Sequence, residues 1–122
     1  MRIAVFGLGY VGVVSAACLS RDGHDVVGVD SQPDKVRLVG AGKAPIVEAY
    51  VGELIEAAVS EGRMRATCDA AEAVAASDMS LVCVGTPSRS NGGLDISAVE
   101  RVCEQIGAAI RAKGAPHLVV MR

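Results

Sequence analysis

The feature that most restricts this chain is Gly7-Leu8-Gly9-Tyr10-Val11-Gly12, a G-x-G-x-x-G run. It follows the apolar stretch Ile3 to Phe6 and opens the segment Tyr10 to Arg21, where Val11, Val14, Ala17 and Cys18 recur at helical spacing. In a strand, glycine turn and helix so ordered, the first glycine allows the tight turn and the second leaves room for a diphosphate to approach the backbone. The third lets the helix lie close on the sheet. Unpaired N–H groups at the helix start then face an anion, favoured by the aligned peptide dipoles. Taken alone, the same six residues also describe a tight turn that binds nothing.

Downstream, strands and helices alternate. Asp25 to Asp30 is a second strand, apolar enough to be covered on both faces as in a parallel sheet. Pro33 near the start and Gly40 and Gly42 at the end delimit a helix. Between Tyr50 and Glu61, Val51, Leu54, Ile55, Ala58 and Val59 repeat at three and four, which predicts an amphipathic helix. Met64 to Cys68 forms a short strand, and Asp69 with Glu72 predicts a capped helix through Ala76. Met79 to Val84 is the next buried strand, closed by Gly85-Thr86-Pro87 and followed by a polar loop, Ser88 to Leu94. Asp95 is expected to cap a helix reaching Lys113, with Ile96, Val99, Val102, Cys103, Ile106 and Ile110 in one stripe; His117 to Met121 begins a fifth strand. The pattern predicts an α/β fold, a Rossmann-type doubly wound parallel sheet. Strand order 3-2-1-4-5 follows if the glycine turn marks the switch point, and the chain is expected to be truncated before a sixth strand.

Asp30 sharpens the reading of the turn. It ends the second strand, 18 residues beyond Gly12, where a carboxylate accepts hydrogen bonds from the adenosine ribose and repels a 2′-phosphate. The expected cofactor is therefore NAD rather than NADP, cradled by Gly7, Gly9 and Gly12. Lys35 is either an adenosine-side contact or a solvated helix lysine. Thr86, after the fourth strand, either contacts the dinucleotide or simply begins a loop. Tyr10 and Val11 offer backbone amides or pack against the cofactor.

Composition excludes several classes. Fourteen acids against twelve bases give a net charge of -2, which offers no basic face to a phosphate backbone, so nucleic acid is not an expected partner. Apolar runs fall short of a membrane span, and a soluble, cytoplasmic protein is expected. Cys18, Cys68, Cys83 and Cys103 include no CxxC pair and lie in or beside apolar stretches, which suits buried, reduced thiols. His24 and His117 lack a second ligand at metal-site spacing, so no metal is expected.

MRIAVFGLGYVG at 1–12, CLS at 18–20, GHDVVGVD at 23–30, PIVE at 45–48, CVGTPSRSNGGLD at 83–95, VCEQIGAAI at 102–110 and VVMR at 119–122 together resemble the UDP-glucose/GDP-mannose dehydrogenase family, over essentially the whole chain. The long loop and CLS resemble its GDP-mannose branch more than its UDP-glucose branch. The resemblance implies NAD contacts at Tyr10, Val11, Asp30, Lys35 and Thr86. It also implies a two-step oxidation of C6 of GDP-mannose to GDP-mannuronate with two NAD, through a cysteine thiolate whose adduct retains a hydrogen that can leave as hydride. None of the four cysteines here matches that nucleophile. By the same resemblance a connector and a C-terminal nucleotide-sugar domain are absent, so residues 1–122 are expected to form an incomplete NAD-binding domain without catalytic activity of their own. A homo-oligomer is expected of the full enzyme. The other reading is a non-catalytic adenosine-nucleotide-binding module. After PIVE the family has Pro-Gly-Leu, whereas this chain has Ala49-Tyr50-Val51, which puts the positioning of that loop in question; Glu48 either shapes a cofactor-side loop or caps a helix.

Overall fold

A computed structural model describes residues 1–122. Its strands are β1 (Arg2–Phe6), β2 (Asp25–Val29), β3 (Met64–Thr67), β4 (Met79–Val82) and β5 (Leu118–Met121). All pair in parallel, in the predicted order β3-β2-β1-β4-β5. Helices α1 (Tyr10–Arg21), α2 (Pro33–Gly40), α3 (Val51–Ser60), α4 (Ala70–Ala75) and α5 (Ser97–Lys113) make the crossovers. None is long and apolar enough to cross a membrane.

Side-chain alternation along β1 divides the core into two layers. Ile3 and Val5 face one side with Leu8, Val13 of α1, Val39 of α2 and Ile55 of α3. Ala4 and Phe6 face the other, with Val74 of α4 and Ile106 of α5. A central strand buried on both faces must be apolar at every position, which explains the unbroken IAVF run.

Several expectations shift in detail. The buried face of α1 is Gly12, Val13, Ser15, Ala16, Ala17 and Ser20; of the expected stripe Ala17 is fully buried, Val14 packs against the core from its edge, Cys18 is half-buried and Val11 is exposed. Small residues on the sheet side permit close approach, and hydrophobic spacing does not register Ser15 or Ser20 among them. On α5 the expected stripe makes contact through Val102, Ile106 and Ile110, joined by Ala109, while Ile96 and Cys103 are exposed. Asp95 does not cap α5 at the N-cap position, which is Ile96; its carboxylate instead accepts from the Ser97 backbone N–H at 3.0 Å and from Oγ at 2.6 Å. The expected capping of α4 is present, with Asp69 Oδ1 accepting from the Glu72 N–H at 3.2 Å. None of the four cysteines is fully buried: Cys18 and Cys83 are half-buried, and Cys68 and Cys103 are exposed. The thiols are free, and of the four only Cys83 packs against the core.

At the amino ends of β4 and β5 a polar cluster ties α5 to the sheet. The Lys113 ammonium donates to the Ser77 carbonyl and, at 3.1 Å, to Nδ1 of His117. That acceptor role leaves the proton on Nε2, which donates to the buried Ser80 Oγ at 2.8 Å. Burial first, and then the charge of Lys113, hold the His117 pKa below its ordinary 6.5, against the weaker pulls of the Ser77 backbone and of Asp78. A folded-state pKa below the unfolded one means that the unfolded chain takes up a proton first as pH falls. The clamp is therefore whole above about pH 6.5 and weakens below it. Thermal denaturation between pH 7.5 and 5.0 should show wild type losing stability more steeply than His117→Gln, which cannot titrate; parallel curves would refute the clamp.

Candidate dinucleotide site

The carboxyl ends of β1, β2 and β4 converge on the glycine turn. Gly7 takes φ +99°, and a Cβ there would lie 3.0 Å from the backbone of Cys83, so both conformation and space require glycine. A Cβ on Gly12 would sit 1.6 Å from the Gly7 carbonyl oxygen, the closest approach in the chain between α1 and the turn. Gly9 differs from both: nothing lies within 4 Å of its notional Cβ. That open space, directly before α1, is where a bulky anion fits.

The amides beside it are available. Gly9 is the N-cap of α1, with no side-chain cap and no acid in the first turn. The first intrahelical bond runs from the Val13 N–H to the Gly9 carbonyl at 2.9 Å, which leaves the N–H groups of Tyr10, Val11 and Gly12 without helical partners. A helix start that is uncapped and free of acids suits a diphosphate.

Asp30 lies one residue past β2 and is half-buried. Its Oδ2 accepts from the Leu8 N–H at 2.8 Å and its Oδ1 from the Gln32 N–H at 2.9 Å. The carboxylate thus clamps the glycine turn and the start of α2, while each oxygen keeps a lone pair for a further donor. Beside it opens a cavity of about 110 Å³, with Phe6, Val29, Val84 and Val102 in its apolar wall. Asp30, Cys68, Arg101 and Gln105 supply the polar rim. The last three escaped sequence reading because they come from the end of β3 and the outer turns of α5, where no motif marks them; only the topology brings them to Asp30.

The other predicted residues do not line this cavity. Tyr10 and Val11 are exposed at the start of α1. The Tyr10 hydroxyl donates to Glu48 Oε2 at 2.6 Å, so Glu48 anchors the α2–α3 connection to α1 and is not a helix cap. This hydrogen bond, and then the carboxylate charge, raise the Tyr10 pKa above its ordinary value. Lys35 is half-buried in the first turn of α2, outside the cavity wall, and its side chain makes no ion pair or hydrogen bond. Thr86 is exposed at the base of a loop closed by a bridge between Ser88 and Leu94. Burial pushes the Cys83 thiol up in pKa, which makes it a poor nucleophile. Tyr50, at the position the resemblance gives to glycine, takes the left-handed φ of +69° at the N-cap of α3. That conformation costs a side chain about 1–2 kcal/mol.

Comparison with known proteins gives a consistent answer. Residues 1–122 match the model of the UDP-glucose/GDP-mannose dehydrogenase family, NAD binding domain. GDP-mannose 6-dehydrogenase of Pseudomonas savastanoi pv. phaseolicola is 52% identical over all of this chain and 28% of its own length. UDP-glucose 6-dehydrogenase of Rhizobium meliloti is 41% identical over 91% of this chain and 26% of its own length. In the crystal structure of a ternary complex of GDP-mannose dehydrogenase from Pseudomonas aeruginosa, the matching part superposes with a TM-score of 0.98 at 51% identity, covering 100% of this chain and 28% of that one. The chain therefore spans under a third of the length of these relatives.

The two glycines make a paired test of the cradle. Gly12→Ala should lower the melting temperature sharply, because the clash is with backbone and no rotamer relieves it; overpacking of this kind costs about 1–3 kcal/mol or more. Gly9→Ala should leave the melting temperature nearly unchanged and still weaken dinucleotide binding. Equal stability losses in the two variants would show that the open space at Gly9 is not what it is taken to be.

Proposed function

Because this chain belongs to the UDP-glucose/GDP-mannose dehydrogenase family, as its NAD-binding domain, we propose that it is the cofactor-binding part of a GDP-mannose 6-dehydrogenase. The observation that carries the cofactor half of this reading is the join of an uncapped helix start, an open Gly9 and an Asp30 carboxylate held to the same turn through the Leu8 N–H. The substrate half rests on the greater whole-chain likeness to the GDP-mannose enzymes than to the UDP-glucose enzyme.

In this reading the free amides of Tyr10, Val11 and Gly12 bind the diphosphate, and Asp30 accepts hydrogen bonds from the adenosine ribose. Its negative charge, held in place by two backbone amides, excludes a 2′-phosphate and so selects NAD over NADP. Lys35 and Thr86 contact the cofactor from either side of the turn. When bound, NAD supplies the hydride acceptor. Oxidation of C6 to the acid needs a thiolate and a sugar-binding domain, and we place both in the part of such an enzyme that this chain, at 28% of the relatives' length, does not span. The full enzyme converts GDP-mannose to GDP-mannuronate for alginate synthesis, as a cytoplasmic homo-oligomer.

Titration calorimetry tests the cofactor half. Residues 1–122 should bind NAD and discriminate against NADP. Asp30→Ala should weaken NAD by about 1–3 kcal/mol while narrowing the gap to NADP. Unchanged NAD affinity would remove Asp30 from the site. Alkylation followed by peptide mapping gives a second readout: saturating NAD should protect Cys68, which lines the cleft, and leave Cys103 reactive. With GDP-mannose and NAD the isolated chain should produce no sustained NADH, and robust turnover would overturn the division of labour. In the full-length protein that carries this chain, GDP-mannose should be the preferred substrate; preference for UDP-glucose would transfer the protein to the other branch.

A further inference from the structure

The adenosine end of the cleft has an unusual composition. An adenine ring presents two flat faces, and proteins commonly cover one with an aromatic side chain. This chain has one Phe and two Tyr and no Trp. Phe6 is 1% exposed in the core below the cleft, and Tyr10 and Tyr50 are not among the residues lining it. The apolar wall formed by Val84 and Val102 can cover one face of a ring. Phe6, the one aromatic residue in the wall, is held in the core beneath it, so no aromatic group stands over the other face.

Arg101 stands where that group is missing. Ala98, Arg101, Val102 and Gln105 all line the cleft from α5, a spacing that puts them on one face of the helix. Ala98, one turn before Arg101, is small and leaves the guanidinium room. Arg2, Arg21, Arg37, Arg63, Arg65 and Arg89 each reach a carboxylate; Arg101, Arg111 and Arg122 make no ion pair and no side-chain hydrogen bond, and of these three Arg101 lines the cleft. Its nearest acid influence is on Asp95, whose carboxylate is already engaged by Ser97. Asp30 is fixed at the ribose position by Leu8 and Gln32, so it is not free to swing across and neutralise the guanidinium.

We infer that the guanidinium of Arg101 lies on the exposed face of the adenine ring and closes the adenosine pocket, setting affinity for the base while Asp30 sets discrimination at the ribose. This rests on the reading that NAD occupies the cleft. A planar, weakly hydrated cation is suited to such a contact, since it stacks and attracts the π-face at once. Lysine carries the same charge without the plane.

Calorimetry with NAD, ADP and inorganic pyrophosphate separates the possibilities, with pyrophosphate measured by displacement of ADP. Arg101→Ala should weaken NAD and ADP alike, by about five- to thirtyfold, and leave pyrophosphate unchanged. Arg101→Lys should recover only part of the loss. Because Arg101 is exposed on α5, the variants should melt with wild type. Equal weakening of pyrophosphate, or full recovery by lysine, would show a diffuse charge effect and overturn the stacking role. If wild type binds NAD and Asp30→Ala weakens it while Arg101→Ala does not, the inference on Arg101 fails alone; if wild type binds neither NAD nor ADP, the assignment of the cleft fails.

Discussion

Everything at the functional end of this molecule depends on how closely α1 approaches the turn that precedes it. The Gly7 carbonyl lies where a Cβ of Gly12 would be, and this contact fixes the direction in which the helix leaves the sheet. The Asp30 carboxylate then ties Leu8 within the turn to the start of α2. With the turn held from both sides, the first amides of α1 point into open space at Gly9 without any rearrangement. Preorganisation of that kind spares a ligand the cost of ordering the loop. A second adjustment makes it possible from below: a Cβ on Gly28 of β2 would approach Leu8 Cδ2 to 2.8 Å, so the glycine in that strand makes room for the turn's own apolar anchor.

The sheet order, the strand-helix alternation and the glycine turn before α1 were all legible from the chain. Each rests on a local pattern with a physical cause: apolar runs that must be covered on both faces, glycines at fixed offsets, an acid at the end of β2. What was not legible has equally definite causes. Apart from Val13 the buried side of α1 is built from glycine, serine and alanine, so apolar spacing marks Ala17 and the edge at Val14 but not Ser15 or Ser20. Cys68 and Cys103 lie beside apolar residues in the sequence yet are exposed in the fold, because neighbours along a short strand end or a surface helix do not share its buried side. Arg101 and Gln105 belong to the cleft only through the crossover that carries α5 over β4, a tertiary fact with no sequence signature. Glu48 ties its loop to α1 through Tyr10, a partner 38 residues away that no local pattern marks.

The two ends of the sheet show why anion recognition is confined to one of them. A cavity of about 140 Å³ at the amino end holds Arg2, Arg63 and Arg65, a richer supply of cations than the cleft possesses. Each of those guanidiniums is engaged, by Asp78, Glu61 and Glu72 respectively. Arg2 holds Asp78 strongly enough to lower its pKa to about 2. Parallel strands also point no helix N-terminus at that end, so the backbone adds no free donors there. At the carboxyl end the charges are fewer but uncommitted: three helix amides stand free in front of a fixed carboxylate, and the Arg101 guanidinium at the cleft is unpaired. Available rather than total charge decides where a dinucleotide can bind, and in a chain so poor in aromatic rings the same unpaired groups are the ones left to recognise its base, ribose and diphosphate.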